Sequence, residues 1–581
     1  MALVALVALS APQAAVEPAA AQPAAKRPNI VVVLTDDQRH DTLGVMPQVQ
    51  EHLVGKGVSF SRAFVSNSIC CPARATFLTG NYAHTTGVYS NRRPFGGMWG
   101  FRHGGAERST IATWLRASGY RTSFMGKYMN SYTRGIAPGW HEWRALVGGN
   151  FTNFVFNVNG QNQGFAGEHV STYLAREAAA FIERRSAKEA PFLLYVSTPV
   201  PHAPATPLPE HADAFSDLPP YASPALNEED VSDKPAYVRD YPLQDPAVIE
   251  AWRIAQLRSL LGADQMVGTI LETLARTEQL ADTIVVYTSD NGMQWGDHRL
   301  RGAHKSVPYE SSIRVPLVVR YDRRVARART ERALVSNLDV AATIAAAAGV
   351  RLRSEGRSLL PFLRDREPRG GWRERVLIES MGGESRTDRI PTYCAVRSQR
   401  HMYVLYGTNE EELYDLREDP YQLENLARGR EHAADVADGR RAVRRLCFPP
   451  PPGFEPAALC TLRGTRGADR LVGGPADDAV CPRGGRDRVR TEAGNDTVFA
   501  GARDVGGQST ATFRPAANGA PGSRIRLGPG ADRAYVLNGL RDLVTCGEGR
   551  DRVIADRFDV VARDCERVQR APRVFSGGGR G

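Results

Sequence analysis

Two apolar runs of the chain end in acidic or amide pairs. NIVVVL (29–34) runs into TDDQ and places Asp36 and Asp37; TIVVYT (283–288) runs into SDNG and places Asp290 and Asn291. Three carboxylates and an amide at one point repel one another unless a cation sits between them, and an all-oxygen set selects a hard ion, Ca²⁺ or Mg²⁺. One aspartate after a strand is ordinarily a turn or cap residue; two such pairs together shift the balance toward a site. A third stretch carries sulfur. SNSICCPARATFLTG (66–80) sets Cys70 beside Cys71, with Pro72 and Arg74 following where a helix-like run begins. Adjacent cysteines are poorly placed to bridge each other, and a packed structural thiol has no use for proline and arginine at fixed offsets.

Residues far apart in sequence meet only on a scaffold, and the chain's rhythm says which one. NIVVVL, FLLYVS (192–197), TIVVYT and VPLVVRY (315–321) read as buried strands. STIATWLRASG, STYLAREAAAFIERR, IAQLRSLLGADQMVGTILETLAR and SNLDVAATIAAAAG read as the helices between them. Such alternation predicts an α/β fold, a mostly parallel sheet with helices on both faces, whose sites lie at the carboxyl ends of the strands. The expected organisation is an export-signal-like segment at 1–25, an α/β catalytic domain at 26–365, a small α+β subdomain with an antiparallel sheet at 366–446, a Pro-rich linker at 447–460 and a repeat domain at 461–581.

The CxPxR stretch followed by LTG resembles the signature of the formylglycine-dependent sulfatases. The resemblance runs from about residue 27 to 430 and implies that family's fold. It also implies that a formylglycine-generating enzyme oxidises Cys70 to formylglycine, whose hydrated aldehyde is the nucleophile, with Pro72 and Arg74 completing the motif and Cys71 at its variable position. A divalent cation, Ca²⁺ in preference to Mg²⁺, is implied at Asp36, Asp37, Cys70, Asp290 and Asn291. GYRTSFMGKY supplies Lys127, VPHAP supplies His202 and HKSVPYESSIRVP supplies Lys305. By resemblance, Lys127 and Lys305 bind the sulfate oxygens and His202 protonates the leaving alcohol. The cation and the N-terminus of the following helix would acidify one hydroxyl of the geminal diol, and Arg74 would stabilise the alkoxide.

CCPxR, APGW (137–140), KSVPYE and GKY followed by an apolar residue and Asn are similar to the branch that removes 6-O-sulfate from glucosamine units of heparan and keratan sulfate. Met129 stands where many sulfatases have a proton-accepting histidine, which directs attention to Tyr128 and Asn130, and Asn291 stands where that branch often has histidine. The substrate class implied is a sulfated sugar, N-acetylglucosamine 6-sulfate in a glycosaminoglycan-like chain. A phosphonate or phosphate ester hydrolase on the same scaffold and a non-catalytic sulfated-glycan-binding protein are the rival readings. Zinc chemistry of the alkaline phosphatase type is disfavoured, because the 12 histidines form no spaced metal-binding cluster.

Beyond the Pro-rich break, GAD, GRD, GND, GAD and GRD put aspartates at 469, 487, 496, 532 and 551, hence intervals of 18, 9, 36 and 19, on or one off multiples of nine. Gly and Asp with a following apolar residue predict a degenerate parallel β-roll, and the pattern resembles the RTX, or haemolysin-type, repeats, which implies additional Ca²⁺ there. Six cysteines outside the first pair (394, 447, 460, 481, 546 and 565) suit disulfides in an exported protein, with pairing left open apart from a staple expected of Cys546 and Cys565. The opening MALVALVALSAPQAAVEPAAAQPAA resembles an export signal without a basic start, and its apolar run is too short to span a bilayer. A secreted or extracellular protein with no membrane span follows. The formal charge of +10 suits an anionic partner. With the sulfatase resemblance that partner is an acidic polysaccharide and not nucleic acid.

Overall fold

The computed structural model describes residues 27–570 apart from 187, 303, 384–388, 455–456, 466, 483–485, 501–520 and 537–539. The signal-like segment 1–25 therefore lies outside the described residues. The centre is a ten-stranded sheet in which Thr283–Ser289, Asn29–Thr35, Phe192–Ser197, Arg121–Gly126 and Glu142–Gly149 lie side by side and parallel. Strict side-chain alternation sends Ile30, Val32 and Leu34 to one face and Val31 and Val33 to the other, and both faces are buried. The first face is covered by the helices Cys70–Thr79, Ile111–Ala117 and Leu338–Ala347, and the second by Val170–Arg185 and Pro246–Arg276. That double cover is why the central strands read as unbroken apolar runs rather than alternating ones.

Leu317–Arg320, inside the VPLVVRY run, is buried as expected but runs antiparallel to Thr283–Ser289. The chain between them leaves and re-enters at the same end of the strands, so the strand has to run back. A second, four-stranded antiparallel sheet follows, in the order Arg375–Ser380, Tyr393–Ser398, His401–Tyr406, Glu411–Asp415. The helix Ala433–Leu446 packs Val436, Ala442 and Val443 against it, and the Cys394–Cys447 disulfide ties helix end to sheet.

The repeats form two parallel sheets that wind as a roll, each strand pairing with the next but one: Leu462 with Val480, Val480 with Val498, and Leu471 with Val489. Valine, isoleucine and alanine from both sheets fill the interior. The repeat aspartates form a ladder inside the turns. Oδ1 of Asp487, Asp496, Asp532 and Asp551 accepts the backbone N–H of Asp469, Asp478, Asp496 and Asp532 respectively, at 2.7–2.9 Å. Two disulfides close the ends, Cys460–Cys481 and the expected staple Cys546–Cys565.

The Pro-rich segment is packed at its described apolar residues. Phe448 joins Phe499, Tyr535 and Ile554 of the roll, while Phe454 and Leu459 enter the core of the small sheet. One sheet of the roll therefore faces the rest of the protein and the other faces solvent.

Candidate active site

Asp36 and Asp37 follow the Asn29–Thr35 strand directly, and Asp290 and Asn291 follow its neighbour Thr283–Ser289. The two pairs meet because the strands are adjacent and in register, with Thr35 opposite Ser289. Asp37 holds a left-handed backbone (φ 67°), which turns its carboxylate back toward Asn291. Cys70 is the first residue of the helix Cys70–Thr79, and Arg74 lies one turn further on. The helix is buried on every side and ends at Gly80, whose left-handed φ of 69° lets its N–H close on Thr76 O.

Lys127 follows the Arg121–Gly126 strand. Gly126 is obligatory there, since a Cβ at its φ of 109° would stand 1.9 Å from Ser197 O. His202 lies in the loop after Phe192–Ser197, and Lys305 in the loop after Asn291.

All nine residues singled out in the sequence converge. Arg74 donates from Nε to Asp290 Oδ2 at 2.8 Å and lies 3.2 Å from Asp36 Oδ2. Lys127 Nζ is 2.5 Å from Asp36 Oδ2, and Lys305 Nζ 2.5 Å from Asp37 Oδ1. The Cys70 sulfur faces both lysines, 3.2 Å from Lys305 Nζ and 3.6 Å from Lys127 Nζ, and lies 3.6 Å from Asp36 Oδ1. Nε2 of His202 is 3.6 Å from Asp37 Oδ2 on the more open side. Asn291 Nδ2 donates to Asp37 Oδ1 at 2.6 Å. Burial pushes the Asp36 carboxyl up, but Lys127, Arg74, His202 and Lys305 together hold it far below the ordinary carboxylate range. Burial, with the nearby Asp36 charge, raises Asp290. Burial also drives the Cys70 thiol well up against the pull of both lysines, so an unmodified thiol here is a protonated, weak nucleophile.

The oxygen set fits a hard divalent cation. Asn291 Oδ1 is buried with no hydrogen-bond partner, and one oxygen each of Asp36, Asp37 and His202's ring nitrogen, or of Asp36 and Asp290 with the Cys70 sulfur, come within 4.8 Å of one another.

Sequence reasoning missed Ser197 and Asn91. Ser197 Oγ accepts from Arg74 Nη1 at 2.6 Å, and Asn91 Oδ1 accepts the Cys71 N–H at 2.8 Å. Ser197 ends a central strand beside Asn29–Thr35, so the strand-end rule that found the aspartates would have found it too. Asn91 sits in a loop and carries no such signal. Tyr128 packs among Phe101, Phe124, Tyr132 and Trp143, and Met129 is buried beside it. The Asn130 backbone N–H donates to the Cys71 sulfur at 3.1 Å, so this turn lies against the second cysteine of the pair.

The family model "Sulfatase" matches residues 28–350, more than half of the chain. The chain belongs to the sulfatase family. In this sulfatase a second model, "N-sulphoglucosamine sulphohydrolase, C-terminal", matches residues 296–444, and "RTX calcium-binding nonapeptide repeat (4 copies)" matches 461–489 and 482–502. The N-acetylglucosamine-6-sulfatase of Capra hircus is 30% identical over 458 residues, covering 69% of this chain and 80% of the goat protein. The "Extracellular sulfatase SULF-1 homolog" of Drosophila melanogaster is 32% identical over 385 residues, covering 63% of this chain. The chain spans only 34% of the fly protein's length. Among solved structures, a protein in complex with its substrate D-glucosamine-2-N,6-O-disulfate superposes with a TM-score of 0.65 at 22% identity, over 73% of this chain and 98% of its own, which shows a shared fold.

Proposed function

We propose that the chain is an exported sulfuric ester hydrolase that removes sulfate from sulfated sugars, 6-sulfated N-acetylglucosamine in glycosaminoglycan-like chains being the substrate. The observation that carries this reading is the Cys70 sulfur at a helix start, 3.2 and 3.6 Å from two lysines and beside the carboxylate cluster. The goat N-acetylglucosamine-6-sulfatase supports the substrate class, and the fly extracellular sulfatase supports export.

Three acids and three bases interlock here: Asp36 with Lys127 and Arg74, Asp290 with Arg74, Asp37 with Lys305. Asp36, Asp37, Asp290 and Asn291 would hold Ca²⁺, which polarises the sulfate oxygens and favours an ionised nucleophile. With a dication the centre carries two excess positive charges, complementary to a sulfate ester. Cys70, oxidised to formylglycine by its maturation enzyme, offers a hydrated aldehyde: one hydroxyl attacks sulfur, and the other expels sulfate as the aldehyde re-forms. Arg74, fixed by Asp290 and Ser197, keeps its guanidinium at the nucleophile's base. Lys127 and Lys305 bind the oxygens of the group in transfer, and His202 protonates the leaving sugar hydroxyl. Tyr128 is held in the aromatic cluster, which leaves Asn130 as the polar side chain of the turn that lacks the usual histidine.

The direct test is mass spectrometry of the tryptic peptide AFVSNSICCPAR (63–74) from protein isolated from its own host. An aldehyde or its hydrate at Cys70, with Cys71 still a thiol, is expected. Two unmodified cysteines would overturn the reading.

The roll is assigned to calcium and to polyanion contact. Asp496 Oδ2 and Asp532 Oδ2 are buried without a hydrogen-bond partner, as cation ligands would be before loading. Burial and neighbouring carboxylates raise Asp532 to about 7, and burial with Asp556 and Asp542 raises Asp559 to about 8. An unfolded aspartate titrates near about 4. Between those values the folded roll binds protons that the unfolded chain releases, so stability is lost as pH rises from about 4 to 8. Calorimetry of the full chain is expected to show Ca²⁺ raising the roll's Tm strongly at pH 8 and weakly at pH 5. An identical Tm with Ca²⁺ and with chelator at pH 8 would remove calcium from the roll.

On the solvent-facing sheet Arg470, Arg488 and Arg524 stand in one register row and Arg490 and Arg526 in the next, all exposed. Adjacent strands lie about 4.8 Å apart, so these rows form a cationic grid. Replacing Arg488, Arg490, Arg524 and Arg526 by Gln is expected to weaken heparin binding on the order of tenfold or more near 0.15 M salt. Unchanged elution from a heparin column would discard that role.

A further inference from the structure

A second cationic site lies apart from the cysteine and the carboxylates. Arg62 follows the Val58–Phe60 strand, Arg332 follows the edge strand Arg329–Glu331, and Arg397 belongs to Tyr393–Ser398 of the small sheet. Glu310 and Arg314 bracket the short helix Glu310–Ile313. With Ser61, Leu416 and Pro420, these residues line an open cavity of about 240 Å³.

Four guanidiniums face one carboxylate. Glu310 is engaged by Arg397 Nε at 2.7 Å and, at 3.8 Å, by Arg314 Nη1. Arg397 is further fixed over the Phe64 ring, 5.1 Å from its centroid. The side chains of Arg62 and Arg332 have no hydrogen bond or ion pair to any described residue. Partial burial, then the charges of Arg397, Arg332 and Arg314, lower the basicity of Arg62. Four chain segments that are distant in sequence thus bring three uncompensated positive charges into one concavity, an arrangement that costs free energy unless an anion shares it.

We propose that this cavity binds a tetrahedral oxyanion, a sulfate group held by the Arg62 and Arg332 forks, at a site separate from the catalytic centre. Guanidinium forks match the paired oxygens of sulfate and phosphate, and the volume admits one such group with part of an attached residue. The site is coupled to the catalytic loop through one short element: Ser311 O and Ser312 O accept the N–H groups of Met293 and Gly292, next to Asn291, at 2.8 and 2.9 Å. The occupant is either free sulfate or an ester sulfate on a glycan. Neither case depends on hydrolysis by this chain.

The test compares the full chain with its Arg62→Gln/Arg332→Gln variant by thermal scans and titration calorimetry, in chloride buffer at constant ionic strength. Sodium sulfate is added in one arm and a heparin-derived hexasaccharide in the other. Without oxyanion the variant is expected to melt at or above the parent, since it loses two unpaired like charges. At tenfold excess over Kd, the oxyanion is expected to raise the parent's Tm by about 2 °C more than the variant's, and one class of sites disappears from the isotherm. The catalytic centre and the roll contribute equally to both proteins and cancel. A difference with inorganic sulfate identifies free anion; a difference with the hexasaccharide alone identifies glycan-borne sulfate. Equal gains for parent and variant in both arms, or a folded variant that melts well below the parent in chloride, would overturn the site. Arg332→Gln alone, at the edge strand, carries the same comparison if the double variant does not fold.

Discussion

Cys70→Ala is expected to lower kcat/KM for sulfate esters by at least about 10⁴-fold, whereas Cys71→Ser retains turnover within about threefold. Both thiols are fully buried, so both substitutions carry a packing cost and the melting temperature serves as a common control. What separates them is direction. The Cys70 sulfur faces Lys127, Lys305 and Asp36. That of Cys71, 100° around the helix, meets the Asn130 N–H and the apolar core under the sheet. Equal losses from the two variants, at equal stability, would show that the pair acts as a structural unit and would remove Cys70 as the nucleophile. Arg74→Ala is a poorer probe, because it strands Asp290 in a buried site and removes one of the two ion pairs of Asp36, costing about 3–5 kcal/mol of stability.

The second large effect concerns His202, and it depends on the leaving group. A sugar hydroxyl is a poor leaving group and needs a proton as the ester bond breaks; a nitrophenolate does not. His202→Ala is therefore expected to reduce kcat on a 6-sulfated glucosamine substrate by about 10²- to 10⁴-fold. For a nitrophenyl sulfate the loss should stay within about tenfold, which is the signature of general-acid help rather than of lost binding. The geometry permits this because His202 is the most exposed member of the set, its ring at 3.6 Å from Asp37 Oδ2 and its Nδ1 engaged by Ala203 O at 2.9 Å. Parallel losses on both substrates would assign His202 to holding Asp37 instead. Steady-state kinetics on the two substrates decides between these.

The strand ends were legible because a parallel sheet covered on both faces imposes a strong local signal. NIVVVL, FLLYVS and TIVVYT have apolar residues on both faces, and each gives way to polar residues where the strand leaves the sheet. The helix start at Cys70 and the nonapeptide spacing are equally local, and the sequence alone therefore placed that helix start, both acidic pairs and the winding of the roll; the nucleophilic role proposed for Cys70 entered through resemblance. Lys127, His202 and Lys305 entered through resemblance, since a single lysine or histidine in a loop has no periodicity to mark it.

Other properties were decided only in three dimensions. Pairing of the cysteines required knowing that the Ala433–Leu446 helix returns to the Tyr393–Ser398 strand. The reversal of Leu317–Arg320 depends on the end of the sheet at which its loop re-enters, and the packing of the Pro-rich segment depends on the aromatic groups that Phe448 finds in the roll. The four-arginine cavity is the clearest case: residues 62, 314, 332 and 397 read singly as ordinary surface cations. Composition and periodicity report forces that act along the chain; charges brought together by folding interact through space, and only the tertiary structure sets those distances.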